Sequence, residues 1–256
     1  MTQNQRRVFL IKYLLNESGR YADAPIPESA AEQKALLRSL MNVRAPKAAD
    51  GGFMKIQDEY LKCEILQKGI TDSDTLPFSE EKISLWQGDI TTLKCGAIVN
   101  AANSALLGCF VPCHRCIDNV IHTFSGIGLR LECANIMEKQ GFDEYTGRAK
   151  ITKAYNLPCD YVLHTVGPTV NGRLTGEHRA LLASCYASCM ELAEQNKIRS
   201  IAFPCISTGE FHFPNEIAAQ IAVKTVREGL KNSTLERVVF NVFKDEDRRI
   251  YEKLLG

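Results

Sequence analysis

Two cysteines and a histidine lie close together in the chain, at Cys109, His114 and Cys116. This spacing places two thiols and an imidazole within one loop, and sulfur and nitrogen are the ligands that Zn²⁺ takes in proteins. Three protein ligands with one open position are typical of a catalytic zinc site. The sequence therefore predicts that these three residues bind zinc.

A further cysteine in the same loop leaves two alternatives open. Cys113 could complete a closed site of three cysteines and His114, and such a zinc would be structural. We favour the open site, because adjacent residues such as Cys113 and His114 rarely both bind one ion with good geometry. The third interpretation is a group of thiols without any metal. Most of the ten cysteines are isolated in apolar stretches, as expected of buried thiols in a reducing compartment.

Three polar segments follow predicted strands, at residues 88–91, 100–104 and 205–214. In an α/β sheet, ligands bind beyond the carboxyl ends of the strands. The third segment places Ser, Thr and Gly before a predicted helix, and there backbone N–H groups and the helix dipole favour an anion. Each segment alone is more typical of a turn.

From residue 82 onward the sequence alternates between patterns typical of strands and of helices, and these elements must position the three polar segments. This alternation predicts an α/β domain with a sheet between helices. The strands are predicted at 83–88, 95–100, 161–166, 200–203 and 237–243, and the helices at 117–140 (with a break near 125–126), 177–196, 214–229 and 245–255. Apolar spacing predicts earlier helices at 8–16, 32–43 and 54–69. We therefore expect a helical extension over 1–80 and one α/β domain over 81–256.

Composition excludes several classes of protein. The chain has 256 residues, of which 45% are hydrophobic and 24% charged, so it is neither disordered nor collagen-like. Its formal net charge of +1 gives no global field toward nucleic acid or a membrane surface, so we expect neither as a partner. Because the start lacks the apolar stretch of a signal peptide, we expect a cytoplasmic protein.

Taken in order, the three polar segments resemble those of the macrodomain family, whose members bind ADP-ribose. Residues 164–168 (His-Thr-Val-Gly-Pro) match another stretch of that family, and the resemblance covers roughly residues 83–255. It implies a three-layer α/β/α sandwich with a mixed sheet. The first eighty residues lie outside it.

The resemblance also implies roles for individual residues. Asp89 accepts the adenine amino group with the Ile90 N–H nearby, and Asn103 holds the distal ribose. The Phe211 ring lies against that ribose, and Phe243 either lies beside adenine or belongs to the core. The residues expected to wrap the diphosphate are Ser207, Thr208, Gly209, Glu210 and Phe211.

Two departures from the family pattern are informative. The family's first phosphate loop is a glycine run, which is replaced here by residues 109–116, and His212 stands where glycine is common. The replacement resembles the zinc-containing macrodomains, a subgroup of ADP-ribosyl hydrolases with a helical N-terminal extension and the same Cys109, His114 and Cys116 ligand set. In some bacteria this subgroup occurs with a sirtuin-type transferase and a lipoyl-carrying protein that resembles glycine-cleavage H, which implies an ADP-ribosylated protein of that kind as a partner.

The activity expected from this resemblance is zinc-dependent hydrolysis of the bond between C1″ of the distal ribose and a protein side chain. Asp118 matches the family's catalytic Asp and would orient or deprotonate water, with Asn103 as the second catalytic residue. The alternative for Asp118 is that it only caps the helix that begins at Ile117. The alternatives for the whole chain are an ADP-ribose reader with a structural zinc and an O-acetyl-ADP-ribose deacetylase.

Overall fold

The computed structural model describes residues 1–19, 22 and 24–256, with three helices first and a mixture of strands and helices after them. The helices are α1 (Gln3–Ser18), α2 (Ala30–Val43), α3 (Gly51–Lys68), α4 (Ile117–Ser125), α5 (Ile127–Gln140), α6 (Gly176–Gln195), α7 (Asn215–Leu230) and α8 (Asp245–Leu255). The strands are β1 (Thr71–Asp72), β2 (Ile83–Gln87), β3 (Leu93–Lys94), β4 (Ala97–Ala102), β5 (Ala149–Lys153), β6 (Tyr161–Val166), β7 (Ser200–Phe203) and β8 (Arg237–Val242).

Six of these strands form one mixed sheet in the order β2-β8-β7-β4-β6-β5. Neighbours are parallel except β5, which pairs antiparallel with β6 so that Ile151 lies opposite Leu163. Strands β1 and β3 form a separate two-residue parallel pair. The central strands read as apolar runs because both of their faces are buried. Strand β5 has no such run, since only Thr152 of its residues is buried, and the sequence did not predict it.

Helices cover both faces of this sheet. Helices α6, α7 and α8 pack on one face through a core that includes Leu182, Tyr186 and Val223. Helices α4 and α5 pack on the other face through Ile121 and Leu129. The predicted three-layer α/β/α sandwich with a mixed sheet is therefore confirmed.

The N-terminal helices α1, α2 and α3 share a core of their own. Leu10, Leu37, Phe53 and Leu61 pack together in it, and Ile127 of α5 joins them. The three helices match the predicted segments, except that α3 ends one residue early at Lys68. They begin earlier than predicted, because Thr2, Ser29 and Asp50 cap their N-termini. The boundary near residue 80 stays a prediction. None of the described helices is long and apolar enough to cross a membrane.

Gly126 separates α4 from α5 where the sequence predicts a break. Its φ of 95° is disfavoured for a residue with a side chain, so the chain turns there. The Ile127 N–H that the break frees donates to Gln57 Oε1 of α3 at 3.0 Å. Because of this turn α4 is a separate short helix, and its first residues lie beside β4, where Asp118 accepts from Asn100.

Candidate active site

The predicted metal ligands come together in the loop before α4. Cys109 Sγ lies 3.6 Å from His114 Nδ1, and one donor atom each from Cys109, His114 and Cys116 lie within 4.8 Å of one another. Tetrahedral zinc with Zn–S of about 2.3 Å and Zn–N of about 2.0 Å places sulfur and nitrogen about 3.5 Å apart. The arrangement and chemistry of these three donors therefore fit a zinc ion.

Cys113 lies outside this group of donors. Its Sγ is 3.2 Å from Ser39 Oγ and 3.4 Å from the Ala35 carbonyl oxygen, both on α2. Its backbone N–H donates to Asn42 Oδ1 at 3.0 Å. The backbone of Cys113 is left-handed, with φ of 53°, at the point where its side chain is directed toward α2. The three-residue ligand set stays a prediction, and Cys113 is not positioned to join it.

Cys116 is also the N-cap of α4. Its Sγ accepts from the Asn119 N–H at 3.4 Å, a position at which the helix dipole favours negative charge. Burial nevertheless raises the pKa of Cys116 to about 12. A bound divalent cation would deprotonate such a thiol outright. On the other side of the loop His114 Nε2 lies 3.7 Å from Glu210 Oε1. The loop of residues 109–116, called the metal loop below, therefore faces the predicted diphosphate loop.

Asp118 does not cap α4, so that interpretation is wrong: Cys116 occupies the cap, and the Asp118 carboxylate is directed at β4. Asn100 Nδ2 donates to its Oδ1 at 2.8 Å and Asn103 Nδ2 donates to its Oδ2 at 3.3 Å. Burial raises the pKa of Asp118 to about 6, against the hydrogen bond from Asn100 and the charge of Arg130. Asp118 and Asn103, the two predicted catalytic residues, are thus in direct contact.

At the other end of the predicted cleft, Asp89 follows β2 and begins a short 3₁₀ turn that contains the buried Ile90. Its carboxylate accepts from Lys68 Nζ at 2.8 Å and from the Thr91 N–H at 3.0 Å. Burial raises the pKa of Asp89, but the hydrogen bonds from Lys68 and Thr91 outweigh it, and the pKa lies below its ordinary value. Lys68 Nζ also lies 3.3 Å from the centroid of the Phe124 ring.

Phe243 follows β8, beside the turn that carries Asp89. Its side chain is 76% exposed, so the alternative that placed it in the core is wrong. The Gly88 N–H donates to the Val242 carbonyl oxygen at 3.1 Å, which keeps the two strand ends together. An aromatic role beside adenine stays a prediction for Phe243.

The predicted diphosphate loop runs from β7 to α7. Across the described residues, the N–H groups of Gly209, Glu210 and Phe211 donate to no protein acceptor. Consecutive unpartnered N–H groups form a concavity that suits an anion. Thr208 is held by its hydroxyl, which donates to the Cys205 carbonyl oxygen at 3.0 Å.

The backbone of this loop is unusual at two residues. Ser207 and His212 have φ of 66° and 54°, in the left-handed region. A left-handed position favours glycine, which explains why glycine is common where His212 stands here. Ser207 is buried, and its Oγ has no partner among the described groups. Gly167 lies so close that a Cβ there would overlap this hydroxyl oxygen.

Several residues of the site were missed by sequence reasoning. Asn100 begins the polar segment predicted at 100–104 but was given no role of its own, although a polar residue at the end of an apolar run is a signal that could have assigned one. Asn119 lies in the first turn of α4 and donates to the Cys109 and Val111 carbonyl oxygens at 3.3 and 2.9 Å. Arg38 and Lys68 belong to the N-terminal helices and reach the site only through the tertiary structure, so no local pattern points to them.

A second group of metal-type donors lies between the sheet and α5, formed by His122, Cys133 and His164. Both ring nitrogens of His164 are already engaged, with Asn100 Nδ2 at 3.1 Å and Thr152 Oγ1 at 2.9 Å. Burial lowers the pKa of His164 to about 4. We assign this group to packing rather than to metal binding, because His164 has no free lone pair to offer.

Comparison with known proteins gives one consistent result. The Macro domain family model matches residues 99–222. A "Protein-ADP-ribose hydrolase" of Treponema medium is 54% identical over 261 residues, which cover 100% of both chains. A protein of the same name from Staphylococcus aureus (strain MSSA476) is 45% identical over 95% of this chain and 94% of its own.

The fold comparison agrees with the sequence comparison. The structure of a Trypanosoma brucei macrodomain in complex with ADP-ribose is 30% identical, with a TM-score of 0.66, and the match covers 90% of this chain and 97% of that chain. The sandwich fold, the order of the site loops and these relatives agree with one another. The chain therefore belongs to the macrodomain family.

Proposed function

We propose that this chain is a zinc-dependent protein mono-ADP-ribosyl hydrolase. The observation that carries the proposal is that the first turn of α4 contributes both to the three predicted metal ligands and to the pair of predicted catalytic residues. Cys116 belongs to the three sulfur and nitrogen donors, and two residues later Asp118 contacts Asn103. The relatives named as protein-ADP-ribose hydrolases support hydrolysis over the reader and deacetylase alternatives.

The binding part of the proposal assigns one loop to each part of the ligand. Asp89 accepts from the adenine amino group, and the ring of Phe243 lies beside that base. The free N–H groups of Gly209, Glu210 and Phe211 bind the diphosphate, since oriented N–H groups before a helix favour an anion. This anchoring holds C1″ of the distal ribose beside Asn103 and Asp118, and positioning of this kind lowers the barrier.

The reaction adds water across the bond from C1″ to the protein. The water oxygen bonds to C1″, and the electron pair of the broken bond goes to the side-chain heteroatom, which takes up the proton that the water gives up. Asp118 orients the water and accepts its proton, while Asn100 and Asn103 hold the carboxylate. Cys109, His114 and Cys116 would hold zinc, which when bound supplies a Lewis acid and a template for water and ribose hydroxyls. The products are ADP-ribose and an unmodified side chain.

The substrate in this proposal is an ADP-ribosylated cytoplasmic protein. The resemblance points to a lipoyl-carrying protein similar to glycine-cleavage H, modified by a sirtuin-type transferase. Faster release of ADP-ribose from such a protein than from an unrelated ADP-ribosylated protein would support this partner. Equal rates would reject it and leave the hydrolase proposal standing.

The proposal is tested with purified protein and an ADP-ribosylated protein substrate. We expect about one zinc per chain and release of free ADP-ribose that a strong chelator stops. Cys116→Ala and His114→Ala should lose turnover by at least about 100-fold and keep measurable ADP-ribose binding in calorimetry, because the other ligand loops are intact. Cys63→Ala is the matched control, since this half-buried thiol on α3 lies outside the site.

Two results would contradict the proposal. Wild-type turnover in a chelator-treated protein without zinc would remove zinc from the reaction. Tight binding of ADP-ribose without its release from any modified protein would make the chain a reader with a structural zinc. Asp118→Asn tests the carboxylate separately, and unchanged turnover would exclude it as the group that orients water.

A further inference from the structure

Helix α2 of the N-terminal extension contacts the metal loop, residues 109–116, through Arg38. Its Nη2 donates to the His114 carbonyl oxygen at 2.6 Å and to Asn119 Oδ1 at 2.8 Å, and its Nε donates to the same Oδ1 at 3.3 Å. Within the described chain the guanidinium has no other hydrogen-bond or ion-pair partner. Its polar contacts are therefore all directed at the backbone of a predicted metal ligand and at Asn119.

Asn119, which Arg38 contacts, in turn contacts the other two predicted ligands. Its Nδ2 donates to the Cys109 carbonyl oxygen at 3.3 Å, and its backbone N–H donates to Cys116 Sγ at 3.4 Å. A guanidinium is only a donor, so Arg38 bonds the oxygen of the Asn119 amide and leaves the nitrogen directed at the loop. One arginine thus fixes the orientation of the Asn119 side chain, which contacts the start of the loop, while the backbone of the same residue contacts Cys116 at its end.

A second attachment joins α2 to the middle of the loop. Asn42 Oδ1 accepts from the Cys113 N–H at 3.0 Å, and Ser39 Oγ lies 3.2 Å from Cys113 Sγ. Between Cys109 and Cys116 the chain forms neither helix nor strand, so it lacks a repeating hydrogen-bond pattern of its own. The conformation that brings the three donors together is held largely from outside the loop.

We infer that α2 is part of the metal site and that Arg38 is a positioning residue that sets the affinity of the loop for its metal. The inference rests on the proposed zinc site. A loop that is already ordered binds with less loss of conformational entropy than one that must be ordered by its ligand. Loss of groups that orient metal ligands typically weakens metal binding by about 10- to 100-fold.

The test compares zinc affinities of the full chain, measured by competition with a coloured chelator. We expect Arg38→Met to bind Zn²⁺ about 10-fold or more weakly than the wild type, and Arg38→Lys to fall between them, because one ammonium cannot reproduce the fork of contacts. Lys34→Met is the matched control, because Lys34 lies on α2 and pairs with Glu64 away from the loop. Its zinc affinity should stay within about twofold of the wild type.

Two further measurements separate positioning from a general structural role. On zinc-free protein, Arg38→Met should bind ADP-ribose as the wild type does and unfold at a similar urea concentration. The absorption spectrum of bound Co²⁺ should change in Arg38→Met and remain unchanged in Lys34→Met. If Arg38→Met does not fold, the same measurements on Arg38→Lys are compared with the wild type instead.

The outcomes are distinct for the inference and for the function it rests on. If the wild type binds zinc and both Arg38 variants match its affinity, the inference is overturned and the proposed function stands. If Arg38→Met loses ADP-ribose affinity and urea stability as much as zinc affinity, Arg38 supports the fold and the inference is again overturned. If the wild type binds no zinc, the proposed zinc chemistry fails and the inference fails with it.

Discussion

At the scale of single residues, close contact between two loops shapes the predicted diphosphate site. Ser207 holds a left-handed backbone, and its buried hydroxyl lies against Gly167, where a Cβ would overlap it. The loop after β6 and the loop after β7 can approach this closely only because residue 167 has no side chain. The position of the N–H groups of Gly209 and Glu210 depends on that approach.

Gly167→Ala should therefore weaken ADP-ribose binding. The added methyl group must displace the Ser207 hydroxyl and crowds the Ile206 side chain, and we expect about a 10-fold higher Kd in calorimetry, which corresponds to about 1.4 kcal/mol. Ser207→Gly in the same chain removes the overlapping hydroxyl and suits the left-handed backbone, so the double variant should recover most of the affinity. Unchanged binding in Gly167→Ala would contradict this account of the loop.

At the scale of elements, the N-terminal helices reach both ends of the cleft. Lys68 at the end of α3 pairs with Asp89, and Arg38 of α2 bonds the metal loop. The attachment is strengthened by Arg130 of α5, whose buried Nη1 donates to three carbonyl oxygens at the end of α2. Its Nε donates to the Leu107 carbonyl oxygen at 2.7 Å, just before the metal loop.

Arg130→Met should destabilise the protein strongly. The substitution fills much of the volume and leaves buried carbonyl oxygens without a donor, each at a cost of about 1 kcal/mol or more, so we expect a loss of about 3 kcal/mol. Urea unfolding measures it. Arg6→Ala is the control, since its ion pair with Glu59 on the surface of the same extension should contribute less than about 1 kcal/mol. Equal effects of the two substitutions would contradict the role given to Arg130.

At the scale of the whole molecule, two buried histidines lie between the sheet and the α4–α5 layer. Burial lowers the pKa of His164 to about 4, and burial, His164 and the charge of Arg130 lower that of His122 well below its ordinary value. The neighbouring ionisable groups are Cys133 beside His164 and Asp118, whose Oδ1 lies 3.5 Å from His122 Nε2. Both rings are therefore neutral in the folded protein at neutral pH.

This arrangement predicts that the two histidines reduce stability in acid. Asp118 acts in the opposite direction, because its raised pKa of about 6 lets the folded chain hold a proton that the unfolded chain has lost. Below about pH 6.5 the histidines of the unfolded chain bind protons that the buried rings do not, so the contribution of these two rings to stability is full above that pH and falls as the pH approaches 4. His164 alone should contribute about 3 kcal/mol to the loss between pH 7 and pH 4. Urea unfolding of zinc-free protein at several pH values measures it, because metal binding is itself pH dependent.

The matched comparison uses two histidine substitutions. His164→Gln should remove the His164 contribution, so its unfolding free energy should fall by about 3 kcal/mol less between pH 7 and pH 4 than that of the wild type, whatever its stability at neutral pH. His178→Gln changes a half-buried histidine in the capping box of α6, away from His122 and His164, and serves as the control. Identical slopes in both variants would show that His164 does not titrate as proposed.

The sequence by itself determined most of the architecture and the grouping of the three predicted metal ligands. The apolar runs of β4 and β6, the period of the helices and the break at Gly126 are local patterns, because burial on both faces and helical geometry each repeat over a few residues. The grouping of Cys109, His114 and Cys116 is also local, since all three lie in one short loop. Edge strand β5 was missed because exposure on an edge leaves little apolar pattern.

Only the tertiary structure decided what surrounds that loop. Asp118 accepts from Asn100 and Asn103 instead of capping α4, and Cys113 turns away from the donors toward α2. Arg38 and the His114 carbonyl oxygen are separated by 76 residues of chain, yet they lie 2.6 Å apart. A contact of this kind depends on how α2 packs against α4, and no periodicity within either helix records which face of its neighbour it will meet.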